Sequence, residues 1–262
     1  MAVSPGSAPI SSARSRAPST PEPRDPAGGA RGASPSRFRG RRHGRRLRAG
    51  RAQALAERLP ALAIARLPAP GTLDPRTLFP RAFDAVWLEI GFGGGEHLIA
   101  QAKANPAVAF LGAEPFVNGI ASLMAEAPAI GLDRLRVWPE DGADLLAALS
   151  PASIGRAFVL FADPWPKTRH HKRRFVSADN VAQLARVLAP GAELRLATDD
   201  VGYLSWMLER LLAHPQFRWR ARRPADWRTR PPDWPATRYE SKARAAGRPA
   251  YYLSFERVGT AS

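Results

Sequence analysis

The sequence contains no cysteine and no long apolar run. The absence of cysteine excludes disulfide bonds and thiolate metal sites. No uninterrupted apolar run approaches the roughly 20 residues that a helix needs to cross a bilayer, so we expect neither a membrane span nor a membrane partner. The 262 residues are enough to bury a sizeable core. These features predict a soluble, cytoplasmic protein.

Acidic residues are scarce in the N-terminal fifth of the chain. Residues 1–51 hold twelve arginines and only two acids, which gives them a net charge of +10 out of the total of +16. Coding bias in a GC-rich genome explains why arginine replaces lysine, but it does not explain the excess of arginine over acids. Strong basicity favours a polyanionic partner, either nucleic acid or an anionic membrane, and we expect nucleic acid.

Two different segments make up this N-terminal region. Residues 1–36 contain nineteen Pro, Gly or Ser and almost no large apolar residues. They bury too little surface to offset chain entropy, which predicts a disordered extension. Residues 37–51 carry eight arginines and no acid, which predicts an arm that becomes ordered on nucleic acid. One folded domain is expected over the remaining residues, 52–262.

Strand and helix patterns alternate regularly in this domain. After a helix over 52–67, strands are predicted at 86–90, 108–113, 135–138, 157–161 and 193–197, with helices at 96–104, 116–125, 142–149, 177–188 and 201–213. Two more short strands are predicted at 217–223 and 251–255. The alternation predicts an α/β fold with a doubly wound, mostly parallel sheet and helices on both faces. Ligands of such sheets bind beyond the carboxyl ends of the strands.

An acidic residue stands at the end of each of the first four strands: Glu89, Glu114, Asp141 and Asp163. The predicted topology brings all four to one edge. Gly91 follows the first acid in a Gly-x-Gly-x-Gly segment, whose glycines let the backbone turn tightly and approach a ligand. The spacing differs from the Gly-x-Gly-x-x-Gly of dinucleotide sites, and an acid ahead of it suits a cationic ligand such as S-adenosyl-L-methionine. Taken singly, each acid is also explained as a solvated strand end or a helix cap.

The fourth acid, Asp163, opens a Pro-Trp-Pro loop that leads into a basic run from Lys167 to Arg174. The prolines restrict the loop to few conformations. A carboxylate beside an aromatic ring suits a planar base, and the cations beyond suit a phosphate backbone. A charged surface loop explains the same residues, and Trp165 either stacks on a base or packs as a wall. Two adjacent histidines in the run face different ways on an extended chain and have no third ligand nearby, which argues against a metal site.

These motifs resemble those of the bacterial tRNA (guanine-N7)-methyltransferases. The similar segments are 88–93, 163–167 with 169–174, 197–199 and 237–240, and the resemblance covers about residues 37 to 257. It implies a Rossmann-like class I methyltransferase that transfers a methyl group from S-adenosyl-L-methionine to N7 of guanosine 46 in the tRNA variable loop. A monomer or homodimer with tRNA as partner and no metal is expected.

The resemblance also implies site residues, beginning with Asp163 as the catalytic one. The residues expected to bind the cofactor are Glu89, Gly91, Gly93, Glu114, Asp141 and Asp163. Those expected to bind the substrate are Lys167, Asp199, Thr237, Arg238, Tyr239 and Glu240. From the charge of the arm and of the basic run, rather than from the resemblance, we expect contacts with the tRNA backbone from Arg41, Arg42, Arg45, Arg46, Arg169, Lys172, Arg173 and Arg174.

Elementary chemistry is consistent with this assignment. Guanine N7 carries a free in-plane lone pair, so no proton has to leave before it attacks a methyl group. Asp163 is therefore expected to orient the base and stabilise positive charge rather than act as a general base. Asp199 is expected to accept hydrogen bonds from guanine or order its loop, whereas Asp200 is as well explained as the N-cap of the next helix.

Two other functions fit parts of the sequence. An amino-group methyltransferase acting on protein or DNA also has an acid followed by proline and an aromatic residue, although the long basic run suits folded RNA better. A non-catalytic RNA-binding protein on a methyltransferase scaffold is the second alternative. Such a protein would be expected to lose the cofactor acids, and all four are present here.

Overall fold

A computed structural model describes residues 1–2, 40–235, 240–241 and 245–259. The fold described below lies within residues 35–262. Nearly all of the predicted extension, the first residues of the arm, and Thr237, Arg238 and Tyr239 fall outside the described residues. Within the described part of the chain, no helix combines the length and apolar character that crossing a membrane requires.

A seven-stranded sheet forms the centre of the domain. Its strands are β1 (Ala85–Ile90), β2 (Val108–Ala113), β3 (Leu135–Trp138), β4 (Ile154–Leu160), β5 (Leu188–Thr198), β6 (Phe217–Trp219) and β7 (Tyr251–Arg257). They are arranged in the order β3-β2-β1-β4-β5-β7-β6. The first five are parallel, and β7 runs antiparallel to both β5 and β6. The order reverses between β1 and β4, where doubly wound folds place their ligands.

Helices connect the strands and cover the sheet. They are α1 (Ala49–Leu62), α2 (Glu96–Ala104), α3 (Val117–Glu126), α4 (Gly142–Ala148), α5 (Ala178–Val187), α6 (Val201–Leu212) and the short α7 (Ala225–Arg228). Four 3₁₀ segments, at Pro75–Leu78, Ala127–Ile130, Leu132–Arg134 and Thr168–Arg173, lie between them. The predicted α/β architecture is confirmed.

Alternating side chains of the central strands build two separate core layers. Leu88 and its neighbour Leu111 on β2 point into one layer, while Trp87 and its neighbour Phe110 point into the other. The two aromatic rings meet edge to face at 5.7 Å. Because both faces are covered, the strands are nearly continuous apolar runs, as expected of buried parallel strands. The polar residues on these strands are therefore exceptions that require partners.

Several element boundaries differ from the predictions for identifiable reasons. Helix α1 ends at Leu62 rather than at residue 67, because Ala63 forms a parallel bridge with Val137 of the edge strand β3 and Ile64 N–H donates to the Val137 carbonyl (2.8 Å). The strand β5 begins at Leu188, where a second short pairing with Ile154 precedes the main register. Tertiary pairing thus extended one strand and shortened one helix.

Candidate active site

A cavity of about 650 Å³ opens at the carboxyl ends of β1, β2, β3 and β4. Three of the four predicted acids line it, namely Glu114, Asp141 and Asp163, together with Gly91 and Gly93. This volume is typical of sites for small organic ligands. The topology therefore brings together residues that lie up to about 70 positions apart in the sequence, as the row of strand-end acids predicted.

The glycine loop is fixed to the neighbouring strand end by Glu114. Gly93 N–H donates to one carboxylate oxygen of Glu114 (2.8 Å), and Phe116 N–H donates to the other (2.8 Å). Burial raises the pKa of the Glu114 carboxyl, and the two backbone hydrogen bonds oppose that rise. Each carboxylate oxygen keeps a second lone pair, so Glu114 is able to accept from a ligand hydroxyl as well.

Two glycines permit the close approach of this loop to α3. Gly93 has φ +55°, a conformation that side chains with a Cβ rarely adopt. A Cβ on Gly119 would lie 2.2 Å from the Gly93 carbonyl oxygen. Both positions therefore require glycine if the loop is to keep its shape. The sequence pattern identified Gly93, whereas the need for Gly119 emerges only from helix packing.

The first acid, Glu89, does not line this cavity among the described residues. Its carboxylate is buried and forms a 2.7 Å hydrogen bond with His97 Nδ1, near the start of α2. The His97 ring packs edge to face on Phe158 at 4.7 Å. The structure thus places this carboxylate against His97 of α2, and its direct contact with the cofactor stays a prediction.

His97 is a residue that the sequence analysis missed. It shares the buried face of α2 with Gln101, one helical turn later. Gln101 Nε2 donates to the backbone carbonyl of Asp233 (2.7 Å). Two polar residues at i and i+4 among apolar neighbours were the available signal, since buried polar groups almost always have partners.

Asp141 has two roles. It is the N-cap of α4, where its side chain accepts from Ala143 N–H (3.0 Å), and it also lines the cavity. The helix-cap explanation and the binding-site explanation of this acid are therefore compatible. The cap uses the Oδ1 oxygen of the carboxylate, so the Oδ2 oxygen is available to accept a hydrogen bond from a ligand.

Asp163 projects from the loop that follows β4. The side chain is exposed to the cavity rather than buried in the core, yet partial desolvation by the surrounding walls raises the pKa of its carboxyl. The loop is held in an uncommon conformation, with φ +51° at Phe161 and φ +43° at Trp165. Such strained positions persist only where surrounding contacts determine them, and they cluster at functional sites.

Trp165 is half-buried and lines the cavity. Its ring lies edge to face with His170 at 5.8 Å, and the Arg173 guanidinium carbon lies 5.0 Å from the ring centroid. These contacts agree with the packing explanation of this tryptophan. The ring also lines the cavity, and stacking on a substrate base stays a prediction.

The sequence predicted an extended chain for the basic run, but the structure shows a 3₁₀ helix over Thr168–Arg173. The exposed cations are Lys167, just before this helix, and Arg169 and Lys172 within it. Arg173 is half-exposed. Arg174 differs, because its side chain is buried and its Nε donates to the Pro164 carbonyl (2.7 Å). Its predicted contact with the tRNA backbone disagrees with this burial. Among the described residues, no group of three or more His, Asp or Glu side chains is arranged to hold a metal ion.

The end of β5 contributes Asp199 and Asp200. Asp200 caps α6 by accepting from Tyr203 N–H (2.7 Å), as its alternative explanation held. Asp199 forms an ion pair with Arg248 Nε (2.8 Å), a partner that sequence analysis missed because it lies 49 positions away. Of the predicted segment 237–240, only Glu240 is described. Its buried carboxylate lies 3.2 Å from Arg230 Nε.

The described part of the arm, residues 40–51, is folded against the domain. Val117 N–H donates to the Arg42 carbonyl (2.9 Å), and the Arg42 guanidinium pairs with Glu140. The Asn118 side chain accepts from Gly44 N–H and donates to the Arg45 carbonyl, each at 2.7 Å. These contacts join the described part of the arm to α3 and to the end of β3, and ordering of the arm on nucleic acid stays a prediction. Contacts of Arg41, Arg42, Arg45 and Arg46 with RNA stay predictions.

Comparisons with known proteins agree with this geometry. The family model described as "Putative methyltransferase" matches residues 84–253. The chain is 51% identical over 224 residues to the tRNA (guanine-N(7)-)-methyltransferase of Rhodospirillum rubrum, covering 85% of this chain and 88% of that protein. It is 48% identical over 221 residues to the enzyme of the same name from Azorhizobium caulinodans, covering 84% and 95%.

Among solved structures, the fold is similar to that of the 16S rRNA methyltransferase KamB. The TM-score is 0.50 and the sequence identity 18%, with 74% of this chain and 100% of that chain covered. At this identity the likeness concerns the fold alone. The sheet and its surrounding helices are therefore arranged as in that protein.

Proposed function

The chain belongs to the tRNA (guanine-N(7)-)-methyltransferase family, and from this premise we propose that it transfers the methyl group of S-adenosyl-L-methionine to N7 of guanosine 46 in the tRNA variable loop. The observation that carries the proposal is the cavity itself. Glu114 and Asp141 lie on the side of β2 and β3, and Asp163 and Trp165 on the side of β4. Three cations of the basic run also line it, namely Lys172, Arg173 and Arg174.

The residues present fit a cofactor of this size and charge. S-adenosyl-L-methionine supplies, when bound, a methyl group activated by a sulfonium cation. Glu114 has free lone pairs for ribose hydroxyls, Asp141 has a carboxylate oxygen for the adenine amino group, and the tight glycine turn brings backbone close to the ligand. A site lined by carboxylates favours a cationic ligand over a diphosphate.

Asp163 is the catalytic residue in this proposal. Its carboxylate, exposed to the cavity, accepts hydrogen bonds from the base and holds N7 in line for attack. It also stabilises the positive charge that the base acquires on methylation, and it does so within a partly desolvated pocket where such an interaction is strong. No proton transfer is required of it, because the N7 lone pair is already free.

The substrate is held by the residues around this carboxylate. Lys167, Arg169 and Lys172 present exposed cations along one 3₁₀ helix and the residue before it, a suitable surface for successive phosphates. Asp199, which forms an ion pair with Arg248, accepts a hydrogen bond from the guanine in this proposal. Residues 237–240 complete the substrate contacts.

One assay tests the proposed function. The protein is incubated with methyl-labelled S-adenosyl-L-methionine and an unmodified tRNA transcript, and the product nucleosides are separated and identified. We expect N7-methylguanosine, and none from a matched transcript with adenosine at position 46. Label on an exocyclic nitrogen or on protein would instead support an amino-group methyltransferase. Tight tRNA binding without transfer would support a non-catalytic scaffold.

A further inference from the structure

Arg174 is the one cation of the segment 167–174 whose side chain is buried. Its exposure is 5%, although it is the last of a run whose other cations are exposed or half-exposed, and it lines the cavity together with Lys172 and Arg173. Its Nε donates a 2.7 Å hydrogen bond to the carbonyl of Pro164, ten positions earlier and at the centre of the Asp163-Pro164-Trp165 loop. The guanidinium therefore connects the end of the basic run to the loop that carries the catalytic carboxylate.

Two aromatic rings of α6 surround this guanidinium. Its central carbon lies 4.7 Å from the ring centroid of Trp206 and 5.3 Å from that of Tyr203. The rings are fixed in turn to the chain that follows Arg174, because Trp206 Nε1 donates to the Val176 carbonyl (2.6 Å) and Val176 N–H donates to the Tyr203 hydroxyl (3.2 Å). Arg174 thus packs against two rings that are themselves hydrogen-bonded to the backbone of Val176.

Asp200 acts on the Arg174 guanidinium electrostatically but without ion-pair contact. In the part of the chain that the structure describes, no acidic side chain forms an ion pair with it within 4.0 Å. A buried cation is costly unless hydrogen bonds and polarisable groups compensate it, and here a backbone carbonyl and two π faces do so. At 5% exposure the guanidinium presents little surface to a phosphate.

The Pro164 carbonyl is the point at which a strained loop needs support. Phe161 and Trp165 both have positive φ, so the loop keeps its shape only through contacts with its surroundings. At the start of the loop, Phe161 N–H donates to the Ala197 carbonyl (2.8 Å). Arg174 provides the corresponding bond at the centre, directly between Asp163 and Trp165.

We propose that Arg174 is a positioning residue: acting through the Pro164 carbonyl, it holds Asp163 and Trp165 at the cavity, and it does not bind a tRNA phosphate. This inference rests on the proposed function, since it concerns the loop of the catalytic carboxylate. It divides the basic run into exposed residues that bind RNA and one inward residue that supports the chemistry.

The test compares Arg174→Met with Arg169→Met, an exposed arginine of the same run. For each variant, kcat, KM for tRNA and the slope of log Kobs against log salt concentration are measured. Arg174→Met is expected to lower kcat about 10- to 100-fold, the scale of effect that a small misplacement of reacting groups has. Its tRNA affinity should stay within about threefold of wild type and its salt slope should be unchanged.

Arg169→Met is expected to behave in the opposite way. Loss of one phosphate contact makes the salt slope shallower by up to about 0.9 and raises KM for tRNA. The proposal is overturned if Arg174→Met shows this same loss of slope while it retains its kcat.

Two milder variants keep the proposal testable if Arg174→Met does not fold. Trp206→Leu removes one aromatic face and leaves every charge in place, and it is expected to lower kcat in the same way. Arg174→Lys should give an intermediate kcat, because an ammonium group reaches a carbonyl but cannot stack as a plane. Calorimetric binding of S-adenosylhomocysteine verifies the fold of each variant. A wild-type kcat in both Trp206→Leu and Arg174→Lys would refute the proposal.

Failure of the proposed function gives a different result. In that case the wild-type protein itself forms no N7-methylguanosine. The tRNA affinities and salt slopes of Arg174→Met and Arg169→Met are still measurable, and they decide by themselves whether Arg174 contacts phosphate.

Discussion

The two halves of the cavity are built differently. On the side of β1, β2 and β3, backbone amides bind Glu114, a helix N-terminus binds Asp141, and a buried histidine binds Glu89. On the side of β4 and β5, most charged groups are exposed, and Asp199 pairs with the exposed Arg248. The first half is rigid in the sense that hydrogen bonds within the fold hold its acids, whereas the exposed groups of the second half are adaptable. Rigid and adaptable halves suit a small cofactor and a large RNA.

The largest effect is expected at Asp163, on the side of the cavity formed by β4. Asp163→Ala removes the acceptor that orients the base, and the transfer rate should fall by at least about 10² to 10³. Binding of tRNA should remain within about threefold, because Asp163 is not a phosphate contact. Single-turnover transfer and filter binding measure the two quantities. Comparable losses in rate and affinity would show that the carboxylate serves binding rather than chemistry.

The next effect concerns the rigid half. His97→Ala leaves the buried Glu89 carboxylate without its hydrogen bond, which is expected to cost about 1–3 kcal/mol of unfolding free energy. The glycine loop that follows Glu89 should loosen, so affinity for S-adenosylhomocysteine should fall more than affinity for tRNA. Urea unfolding and calorimetry measure these changes.

The control for this variant is His214→Ala, at a half-exposed histidine beyond the end of α6. It should leave both affinities unchanged. If His97→Ala weakened tRNA and cofactor binding equally, the division of the cavity into two halves would not hold.

A smaller effect is expected in the adaptable half. The double variant Arg169→Met with Lys172→Met removes two exposed cations. The salt slope of tRNA binding should become shallower by up to about 1.8, since each lost phosphate contact contributes up to about 0.9. The affinity for S-adenosylhomocysteine should not change. An unchanged salt slope would mean that the exposed face of the 3₁₀ helix does not contact RNA.

The smallest effect is one of stability and pH. The pKa of Asp163 is raised in the folded protein by desolvation, so between its unfolded and folded values the folded state binds more protons than the unfolded state. Stability contributed by this group therefore falls as pH rises through that interval. Asp163→Asn should raise Tm slightly at pH 7, and the gain should vanish below about pH 3.9, where both states are protonated. A gain independent of pH would exclude this cause.

Much of the site was predictable because its pattern is local. The acids Glu114, Asp141 and Asp163 each follow an apolar strand, and parallel strands end at one edge. Glu89 follows the same pattern, but its side chain faces the layer that contains Phe158 and bonds with His97. Glu89 lies inside β1, level with Gly112 and Phe158, whereas the other three acids come after the last residues of their strands. A residue inside a strand is confined to one face of the sheet, and the motif alone does not show on which side of the strand end an acid falls.

Arg174 and Arg248 illustrate the same limit for charges. In the sequence, Arg174 looks like any other cation of the basic run, and Arg248 belongs to no motif. Burial against two rings of α6 gives the first its direction, and proximity to the end of β5 gives the second its partner. Such contacts join residues tens of positions apart. No spacing rule reaches across that distance.

The sequence by itself determined the alternation of strands and helices, the row of acids at one edge, the glycine turn and the basic run, because each follows from local periodicity and residue chemistry. Only the tertiary structure decided which partner within the fold each of these charged groups takes. It directed Glu89 to His97, Arg174 to Pro164, and residues 40–48 to α3. The physical reason is burial: a charged side chain removed from water takes whatever partner the packed fold provides.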